Sequence, residues 1–358
     1  MNLRLCTNNS SMKAIIMAGG EGTRLRRVTG ELPKPMVPLL GKPLMERIID
    51  LLRRSGITEI CATLQYHPQP IMDYFGNGER LGVSLSYALE TTPLGTAGGV
   101  KNCGDFCGDE DVLVISVDAA CDFDLRALTE AHRDSGAAAT LALYESADPL
   151  AYGLVVPDRR GDVCCFLEKP DWQRVVTNLV NTGIYVLSPR AMAAVPRGEP
   201  FDFARQLFPL LLEQGERLHT RVMEGYWCDI GSPRAYYRCC LDALDGKLRL
   251  PDEPEPEPPA RSCAPPCPLP GNRRVFRRVP CRDRAKLMRA VTEAMLELGA
   301  ELGDGLVLRG ERCGVRICPD PGESELLVEA HSFDREFSRS LAVTAAELAR
   351  ALEQHNQS

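Results

Sequence analysis

Residues 13–49 read KAIIMAGGEGTRLRRVTGELPKPMVPLLGKPLMERII, and this stretch decides the fold of most of the chain. Its first six residues are a short apolar run that ends at glycines, which is typical of a buried parallel strand. Pro43 then opens a helical pattern with one apolar face, and Gly56 ends it. A buried strand, a glycine-rich loop and an amphipathic helix in succession predict the first unit of an α/β sheet.

The alternation of apolar strands and helical stretches continues beyond this first unit. Further strands are predicted near residues 59–64, 84–89, 112–116 and 138–144, with helices near 70–75, 96–103 and 124–134. Strands near 153–156, 163–167 and 180–187 then follow without full helices between them, before closing helices near 203–212 and 234–244. The pattern predicts an α/β fold, a Rossmann-like doubly wound mixed sheet, whose ligands sit at the carboxyl ends of the strands.

The ends of the chain have a different character. Residues 1–12 are polar and are expected to be a disordered extension or an artefact of the assumed start, ahead of a catalytic domain at 13–247. Prolines and acidic residues dominate residues 251–271, so residues 248–282 are predicted to be an extended linker. Residues 283–358 are predicted to form a small α+β domain, with two helices around two or three short strands within 305–330.

Composition limits the classes of partner. The chain has 358 residues, 44% of them hydrophobic, and a formal net charge of -7 without a basic stripe, so nucleic acid is not an expected partner. No apolar run is long enough to span a bilayer, and no signal peptide is evident, so no membrane partner is expected. The 15 scattered cysteines indicate thiols in a reducing cytoplasm rather than a disulfide framework or a metal site. A homo-oligomer is compatible with the sequence.

The glycine-rich loop after the first strand, residues 18–25 (AGGEGTRL), is the first motif with chemical meaning. Its glycines let backbone N–H groups turn toward a triphosphate, and Arg24 adds a cation for the phosphates. The loop lacks the Gly-Lys-Ser/Thr end of a Walker A motif and the third glycine of the dinucleotide fingerprint. By itself it predicts either a phosphate loop or a tight turn.

The second motif is the segment Leu32-Pro-Lys-Pro-Met36. The two prolines are expected to hold Lys34 in a stiff, extended segment. A lysine on a rigid loop near a phosphate site can meet developing negative charge without reorganising. The alternative is a surface lysine in a proline-rich loop.

Together, these two segments resemble the N-terminal signature of the sugar-phosphate nucleotidyltransferase family, in its mannose-1-phosphate guanylyltransferase branch. The resemblance extends to about residue 245. It implies an enzyme that joins a nucleoside triphosphate, GTP, to a sugar 1-phosphate, mannose 1-phosphate, and releases pyrophosphate. A glucose-1-phosphate uridylyl- or thymidylyltransferase stays open. So does a catalytically weak regulatory protein that binds sugar nucleotides, because Val117 replaces a glycine of the family.

The resemblance also assigns site residues. The implied reaction needs no protein nucleophile or general base, because the attacking phosphate is already ionised. Residues 90–99 (ETTPLGTAGG) resemble the family's base-recognition loop, 166–170 its FxEKP segment, 181–183 its NTG segment and 227–231 its WxDIG turn. The implied catalytic cations are Arg24, Lys34 and Lys169. The implied nucleotide contacts are Ala18, Gly19, Gly20, Gly22, Thr23, Gly95, Thr96 and Gly98. The implied sugar-phosphate contacts are Glu168, Lys169, Asn181 and Thr182. Asp118 and Asp229 would bind Mg²⁺, and Asp122 is expected to cap the helix that follows it.

Residues 283–353 resemble the last domain of phosphohexomutases such as phosphomannomutase, through the segment GERCGVRICPDPGESELLVEAHS at 310–332. The phosphate loop of that family reads like RPSGTEP. Here Cys318 stands in place of its arginine and Asp320 in place of its serine, and an acid there would repel phosphate. The domain is therefore expected to be non-catalytic, with a role in packing or oligomerisation.

Overall fold

The structure is a computed structural model. It describes residues 12–25, 32–167, 176–250, 274–280, 301–303, 305–309, 313–319 and 325–332, and single helical positions between 291 and 349. The expected extension, most of the expected linker, and the site candidates Glu168 and Lys169 lie outside the described residues. Contacts divide the chain into two compact units. Unit 1 contains described residues of 1–21, 48–119 and 123–224, and unit 2 those of 22–47, 120–122 and 225–358.

The predicted strands are present near their expected positions, and the described residues add seven strands that were not predicted. The strands are β1 (Lys13–Met17), β2 (Pro38–Leu39), β3 (Lys42–Pro43), β4 (Glu59–Leu64), β5 (Ser84–Leu89), β6 (Val112–Ser116), β7 (Ala119–Cys121), β8 (Ala139–Glu145), β9 (Leu154–Pro157), β10 (Val163–Leu167), β11 (Leu179–Leu187), β12 (Leu218–Val222), β13 (Trp227–Asp229), β14 (Arg274–Pro280), β15 (Glu301–Gly303), β16 (Gly305–Arg309), β17 (Cys313–Pro319) and β18 (Glu325–Ser332). The seven that were not predicted are β2, β3, β7, β12, β13, β14 and β15.

The helices also agree with the sequence pattern. They are α1 (Leu44–Arg54), α2 (Pro68–Phe75), α3 (Gly95–Lys101), α4 (Leu125–Ser135), α5 (Pro189–Ala193), α6 (Phe208–Glu213) and α7 (Pro233–Leu244). A π-helical turn, Phe203–Leu207, runs directly into α6. Among the described residues, no helix is both long enough and apolar enough to cross a membrane.

Unit 1 is built on a nine-stranded mixed sheet, which confirms the predicted α/β fold. The path runs β10-β9-β11-β6-β1-β4-β5, and β8 pairs with β11 and β12. Strands β6, β1, β4 and β5 are parallel, whereas β11 is antiparallel to β6. Strands β1, β4 and β6 are mostly buried apolar runs, as a sheet covered on both faces requires, whereas β5 at the end of the path has exposed positions. Their carboxyl ends therefore lie at one edge, where residue 18, Gln65, Glu90 and Val117 begin the following loops.

Unit 2 has a separate apolar core. Its main sheet is antiparallel in the order β14-β18-β17-β16-β15, and two small two-stranded sheets pair β2 with β3 and β7 with β13. One buried cluster joins Val37 and Leu44 to Tyr236 of α7 and to Val279 and Val328 of the antiparallel sheet. The C-terminal strands thus share a core with the segment that contains Lys34.

The linker prediction is wrong at its C-terminal end. Residues 274–280 were assigned to the extended linker, but they form β14, which pairs antiparallel with β18 along its whole length. Val279 is fully buried in this strand. The proline-rich composition ends at residue 271, three residues before the strand begins.

Candidate functional site

The first half of the glycine-rich loop lies at the carboxyl edge of the unit 1 sheet. The N–H of Ala18 donates to the Thr63 carbonyl at 3.2 Å, so this amide is already used within the fold. A Cβ atom on Gly19 would lie 3.3 Å from Oε1 of Glu90, whereas Gly20 is exposed and faces open space. The loop therefore passes close to the carboxylate that follows β5.

Glu90 follows β5 at this edge and contacts the residues around it. Its Oε2 accepts the N–H of Leu94 at 3.1 Å, and its Oε1 lies where a side chain on Gly99 would have to go. Burial raises the pKa of this carboxyl above its ordinary value, and the Leu94 N–H opposes the shift. A half-buried carboxylate at the carboxyl end of a parallel strand is a recognition group for hydrogen-bond donors.

Two glycines of residues 90–99 lie against the backbone of residues 199–201. A Cβ atom on Gly95 would lie 2.7 Å from the Phe201 carbonyl oxygen, and one on Gly98 would lie 2.7 Å from that of Glu199. The hydroxyl of Thr96 donates to Oδ2 of Asp202 at 2.9 Å. Close approach of residues 199–202 therefore explains these glycines, and their predicted contact with a nucleotide stays a prediction.

Asp118 follows β6 at the same edge. Its Oδ1 accepts a short hydrogen bond from the Ser116 hydroxyl. Gly183 has a φ of +77°, and a Cβ atom there would lie 3.2 Å from Cβ of Ser116. Val117 lies between Ser116 and Asp118 in the chain and is buried. Its N–H donates to the Met17 carbonyl at 3.1 Å. The replacement of glycine by Val117 is thus accommodated within the core.

The two sugar-contact candidates on β11 differ in environment. Thr182 is buried, and its hydroxyl donates to the Ala142 carbonyl at 2.7 Å, so this hydroxyl stabilises the sheet. Asn181 is half-buried, and its Oδ1 accepts the N–H of Gly183 at 3.2 Å and the Tyr185 hydroxyl at 3.0 Å. The amide nitrogen of Asn181 is the donor that these bonds leave for a ligand.

The second half of the glycine-rich loop belongs to unit 2 and forms a turn that faces Lys34. The N–H of Leu25 donates to the Gly22 carbonyl at 2.9 Å. Gly22 has a φ of +63°, and a Cβ atom there would lie 3.1 Å from Cβ of Lys34. Lys34 is 8% exposed, which excludes the surface-lysine alternative. The expected extended conformation is wrong, because Lys34 opens a 3₁₀ turn, Lys34–Met36, whose geometry suits proline in its first positions.

Arg24 and Asp229 come together beside Gly231 in unit 2. A Cβ atom on Gly231 would lie 2.9 Å from Nη2 of Arg24 and 3.0 Å from Oδ2 of Asp229. Gly231 therefore leaves the space that the guanidinium and the carboxylate both border. Thr23 and Arg24 are exposed on the loop.

Asp122 does not cap the helix that follows it, which corrects that expectation. The cap of α4 is Asp124, whose Oδ1 accepts the N–H groups of Arg126 and Ala127. Asp122 instead accepts the N–H of Tyr226 at 2.7 Å and that of Arg249 at 3.0 Å. It fixes the segment that leads into β13 and Asp229.

Sequence reasoning missed two carboxylates. Glu90 lay inside a quoted motif without a role, although its place directly after a parallel strand could have identified it. No sequence signal links Asp202 to Thr96, because 106 residues separate them in the chain.

Comparisons with known proteins identify the family. The model of a family described as nucleotidyl transferase matches residues 13–246. The chain is 35% identical over 251 residues to a UTP–glucose-1-phosphate uridylyltransferase from Synechocystis, which covers 66% of this chain and 65% of that protein. It is 33% identical over 234 residues to a mannose-1-phosphate guanylyltransferase from Mycobacterium tuberculosis, which covers 65% of each.

Among solved structures, HddC from Yersinia pseudotuberculosis complexed with GMP-PN is similar with a TM-score of 0.56 and 30% identity, covering 64% of this chain and 98% of that one. The chain spans about two thirds (65%) of the length of the curated relatives that it matches here.

Proposed function

The chain belongs to the nucleotidyl transferase family, and on that premise we propose that it joins a nucleoside triphosphate to a sugar 1-phosphate, with GTP and mannose 1-phosphate as the preferred pair. The observation that carries this proposal is the buried Lys34 against Gly22 of the glycine-rich loop. A cation held rigidly beside a loop of this kind meets the charge that develops on a leaving pyrophosphate without reorganisation.

The reaction is an in-line displacement at the α-phosphorus of the triphosphate. An oxygen of the sugar phosphate forms the new bond to phosphorus, and the bond from phosphorus to the α–β bridging oxygen breaks with its electron pair. The products are an NDP-sugar and pyrophosphate. Arg24 and Lys34 stabilise the departing charge, and Lys169 aligns the attacking phosphate, so catalysis is positioning and electrostatics.

The donor set fits a magnesium ion as cofactor. Asp118 follows β6, and Asp229 is the last residue of β13. Carboxylate oxygens are the hard donors that Mg²⁺ prefers, and the ion is commonly held by one or two carboxylates together with substrate phosphates. A bound Mg²⁺ would neutralise phosphate charge.

Glu90 supports guanine as the base. Guanine presents two adjacent donors, N1–H and N2–H, and a carboxylate can accept both in parallel. Uracil and thymine present a single N–H between two carbonyl oxygens, and those oxygens would face the negative charge of Glu90. The M. tuberculosis relative, a guanylyltransferase by name, supports GTP and mannose 1-phosphate, and the Synechocystis relative makes UTP and glucose 1-phosphate the second candidate pair.

We assign no mutase chemistry to the C-terminal residues. The core that the antiparallel sheet shares with α7 and Leu44 supports a packing role. The scattered cysteines of the sequence, which are not arranged as a disulfide framework, support a reducing compartment, the cytoplasm.

The proposal is tested by pyrophosphate release from the purified full chain with Mg²⁺. GTP, UTP, dTTP, ATP and CTP are each paired with mannose 1-phosphate and with glucose 1-phosphate. We expect the highest kcat/KM with GTP and mannose 1-phosphate, loss of release with EDTA, and loss in Asp118→Ala and Asp229→Ala.

Pyrophosphate release with UTP and glucose 1-phosphate, and not with GTP and mannose 1-phosphate, would overturn the preferred substrate pair. The proposed reaction type would still hold. If no pair gives pyrophosphate release, while a nucleotide still binds in calorimetry, the proposed reaction is overturned. That result would support a regulatory protein that binds sugar nucleotides.

A further inference from the structure

A five-residue segment, residues 199–203, crosses the first turn of α3; we call it the strap. The Phe201 carbonyl accepts the N–H of Ala97 at 2.9 Å and that of Gly98 at 3.0 Å, and the Phe201 N–H donates to the Leu94 carbonyl at 2.8 Å. The helix has no side-chain cap of its own at Leu94. Since the first N–H groups of a helix need partners, the strap supplies what a capping residue would normally supply.

The strap lies so close to α3 that two glycines are required. Carbonyl oxygens of Phe201 and Glu199 lie 2.7 Å from the positions that Cβ atoms would take on Gly95 and Gly98. Side chains there would push the helix away from the strap. The place of α3 relative to the sheet edge is therefore set by this contact.

Asp202 holds the C-terminal part of the strap by hydrogen bonds. Its Oδ1 accepts the N–H groups of Ala204 and Arg205, both at 3.0 Å, and so caps the helical turn Phe203–Leu207. Its Oδ2 accepts the hydroxyl of Thr96 at 2.9 Å, and the Thr96 oxygen accepts the N–H of Phe203 at 2.9 Å. One carboxylate thus connects the start of one helix to the first turn of another.

The helix held in this way also orients Glu90. Gly99 of α3 lies against Oε1 of Glu90, and the Leu94 N–H binds Oε2. A small shift of α3 would therefore move the carboxylate that faces the base. We infer that Asp202, acting through Thr96, is a positioning residue for base recognition. This inference rests on the proposed function.

The test separates capping from positioning. Asp202→Ser keeps an N-cap group but is too short to reach Thr96, and Thr96→Val removes the hydroxyl while keeping the shape of the side chain. Losing a hydrogen bond to a charged group predicts that KM for GTP rises about tenfold in both variants. In Asp202→Ser, we expect kcat and KM for mannose 1-phosphate to stay near wild type. Thr96→Ser, which keeps the hydroxyl, should lie closer to wild type than Thr96→Val.

Asp124→Ala is the matched control, because Asp124 caps α4 with the same two-amide pattern, and both of these bonds stay within α4. It should lower stability without raising KM for GTP. Unchanged KM for GTP in Asp202→Ser and Thr96→Val, in an active enzyme, would overturn the inference. So would an equal rise for both substrates, since that indicates general loss of structure.

Amide hydrogen exchange of Ala97 and Gly98 provides a readout without substrate. Faster exchange in Asp202→Ser than in Asp124→Ala is expected if the strap holds α3, and equal exchange would contradict it. If the wild type releases no pyrophosphate with any pair, the proposed function has failed, and this exchange measurement still decides whether the strap fixes the helix.

Discussion

Oε1 of Glu90 lies 2.6 Å from the position that a Cβ atom would take on Gly99, so residue 99 must lack a side chain for this carboxylate to keep its place. Substituting Glu90→Gln replaces one acceptor by a donor without a change of size. Guanine would then lose one of two charge-assisted bonds, whereas uracil could pair its N–H and one carbonyl with the amide. We expect kcat/KM for GTP to fall about 10- to 100-fold and the ratio of UTP to GTP use to rise.

Steady-state kinetics with both nucleotides measure this change of preference. Glu79→Gln, at an exposed position on a 3₁₀ turn, is the control and should leave both values as in the wild type. An equal fall for GTP and UTP in Glu90→Gln would show that Glu90 does not contact the base.

The raised pKa of Glu90 predicts a pH effect on GTP use. Burial raises the pKa above the ordinary value of 4.5, so a fraction of Glu90 is protonated at mildly acidic pH, at which an ordinary glutamate is already ionised. A protonated carboxyl cannot accept both guanine donors. We therefore expect kcat/KM for GTP to fall as the pH is lowered into the mildly acidic range. This acidic limb of the pH profile should be missing in Glu90→Gln. Identical acidic limbs in the two enzymes would assign the limb to another group.

Gly183→Ala is expected to disturb Asp118 through Ser116. The backbone at Gly183 is left-handed, with a φ of +77°, which costs a residue with a side chain about 1–2 kcal/mol. The new methyl group would also meet Cβ of Ser116 at 3.2 Å, and Ser116 hydrogen bonds to Asp118. We expect activity to require more Mg²⁺ than in the wild type, as measured by a magnesium titration of pyrophosphate release.

The matched control for this substitution is Gly136→Ala. Gly136 is also left-handed, with a φ of +60°, but a Cβ atom there would meet nothing within 4 Å. Both variants should lose stability through the left-handed backbone, and Gly183→Ala should lose more because of its contact with Ser116. A magnesium requirement that rises equally in both would contradict a specific effect on Asp118.

Much of unit 1 could be predicted, because the strands and helices that position its site have clear periodicity. The apolar run of β6 ends at Ser116, and β5 ends at Leu89 as predicted, so the rule that ligands lie at the carboxyl ends of strands brings Glu90 and Asp118 to one edge. The strap could not be predicted. It depends on backbone bonds between Phe201 and α3, and residues 199–203 have no pattern that specifies such a partner.

The same reasoning explains the errors in unit 2. Lys34 was expected in extended backbone from its flanking prolines, but proline also fits the start of a 3₁₀ turn, so local rules left two conformations. β14 was hidden by the proline-rich composition of the residues before it. Its pairing with β18, some 50 residues away, is a long-range contact that sequence spacing does not reveal.

Lys34→Met should lower kcat strongly without unfolding the chain. Methionine matches the length of the stem and its contact with Gly22, so the change removes mainly the charge. Loss of one preorganised group for transition-state charge predicts a decrease of about 10²- to 10³-fold. The control is Lys247→Met, a half-exposed lysine paired with Asp242, which should retain activity. Equal activity of the Lys34→Met enzyme and the wild type would exclude Lys34 from the reaction.

His132 predicts how stability depends on pH. Burial lowers the pKa of this imidazole, Arg190 and Arg133 act in the same direction, and Asp111 opposes them. Its Nδ1 lies 2.8 Å from the Thr140 hydroxyl inside the fold. Since the folded pKa lies below the unfolded value of about 6.5, the unfolded chain takes up the proton first on acidification. The stability due to neutral His132 is therefore complete above that value and is lost as the pH falls below it.

The slope of this loss is at most about 1.4 kcal/mol per pH unit, because one proton is involved. His132→Gln cannot titrate, and its amide can still meet Thr140. We expect the variant to be less stable than the wild type at pH 7.5 but to lose less stability between pH 6.5 and 5. Urea unfolding at a series of pH values measures both slopes. Parallel curves would mean that His132 takes up its proton equally in the folded and unfolded chain, and would contradict the assigned effect of burial.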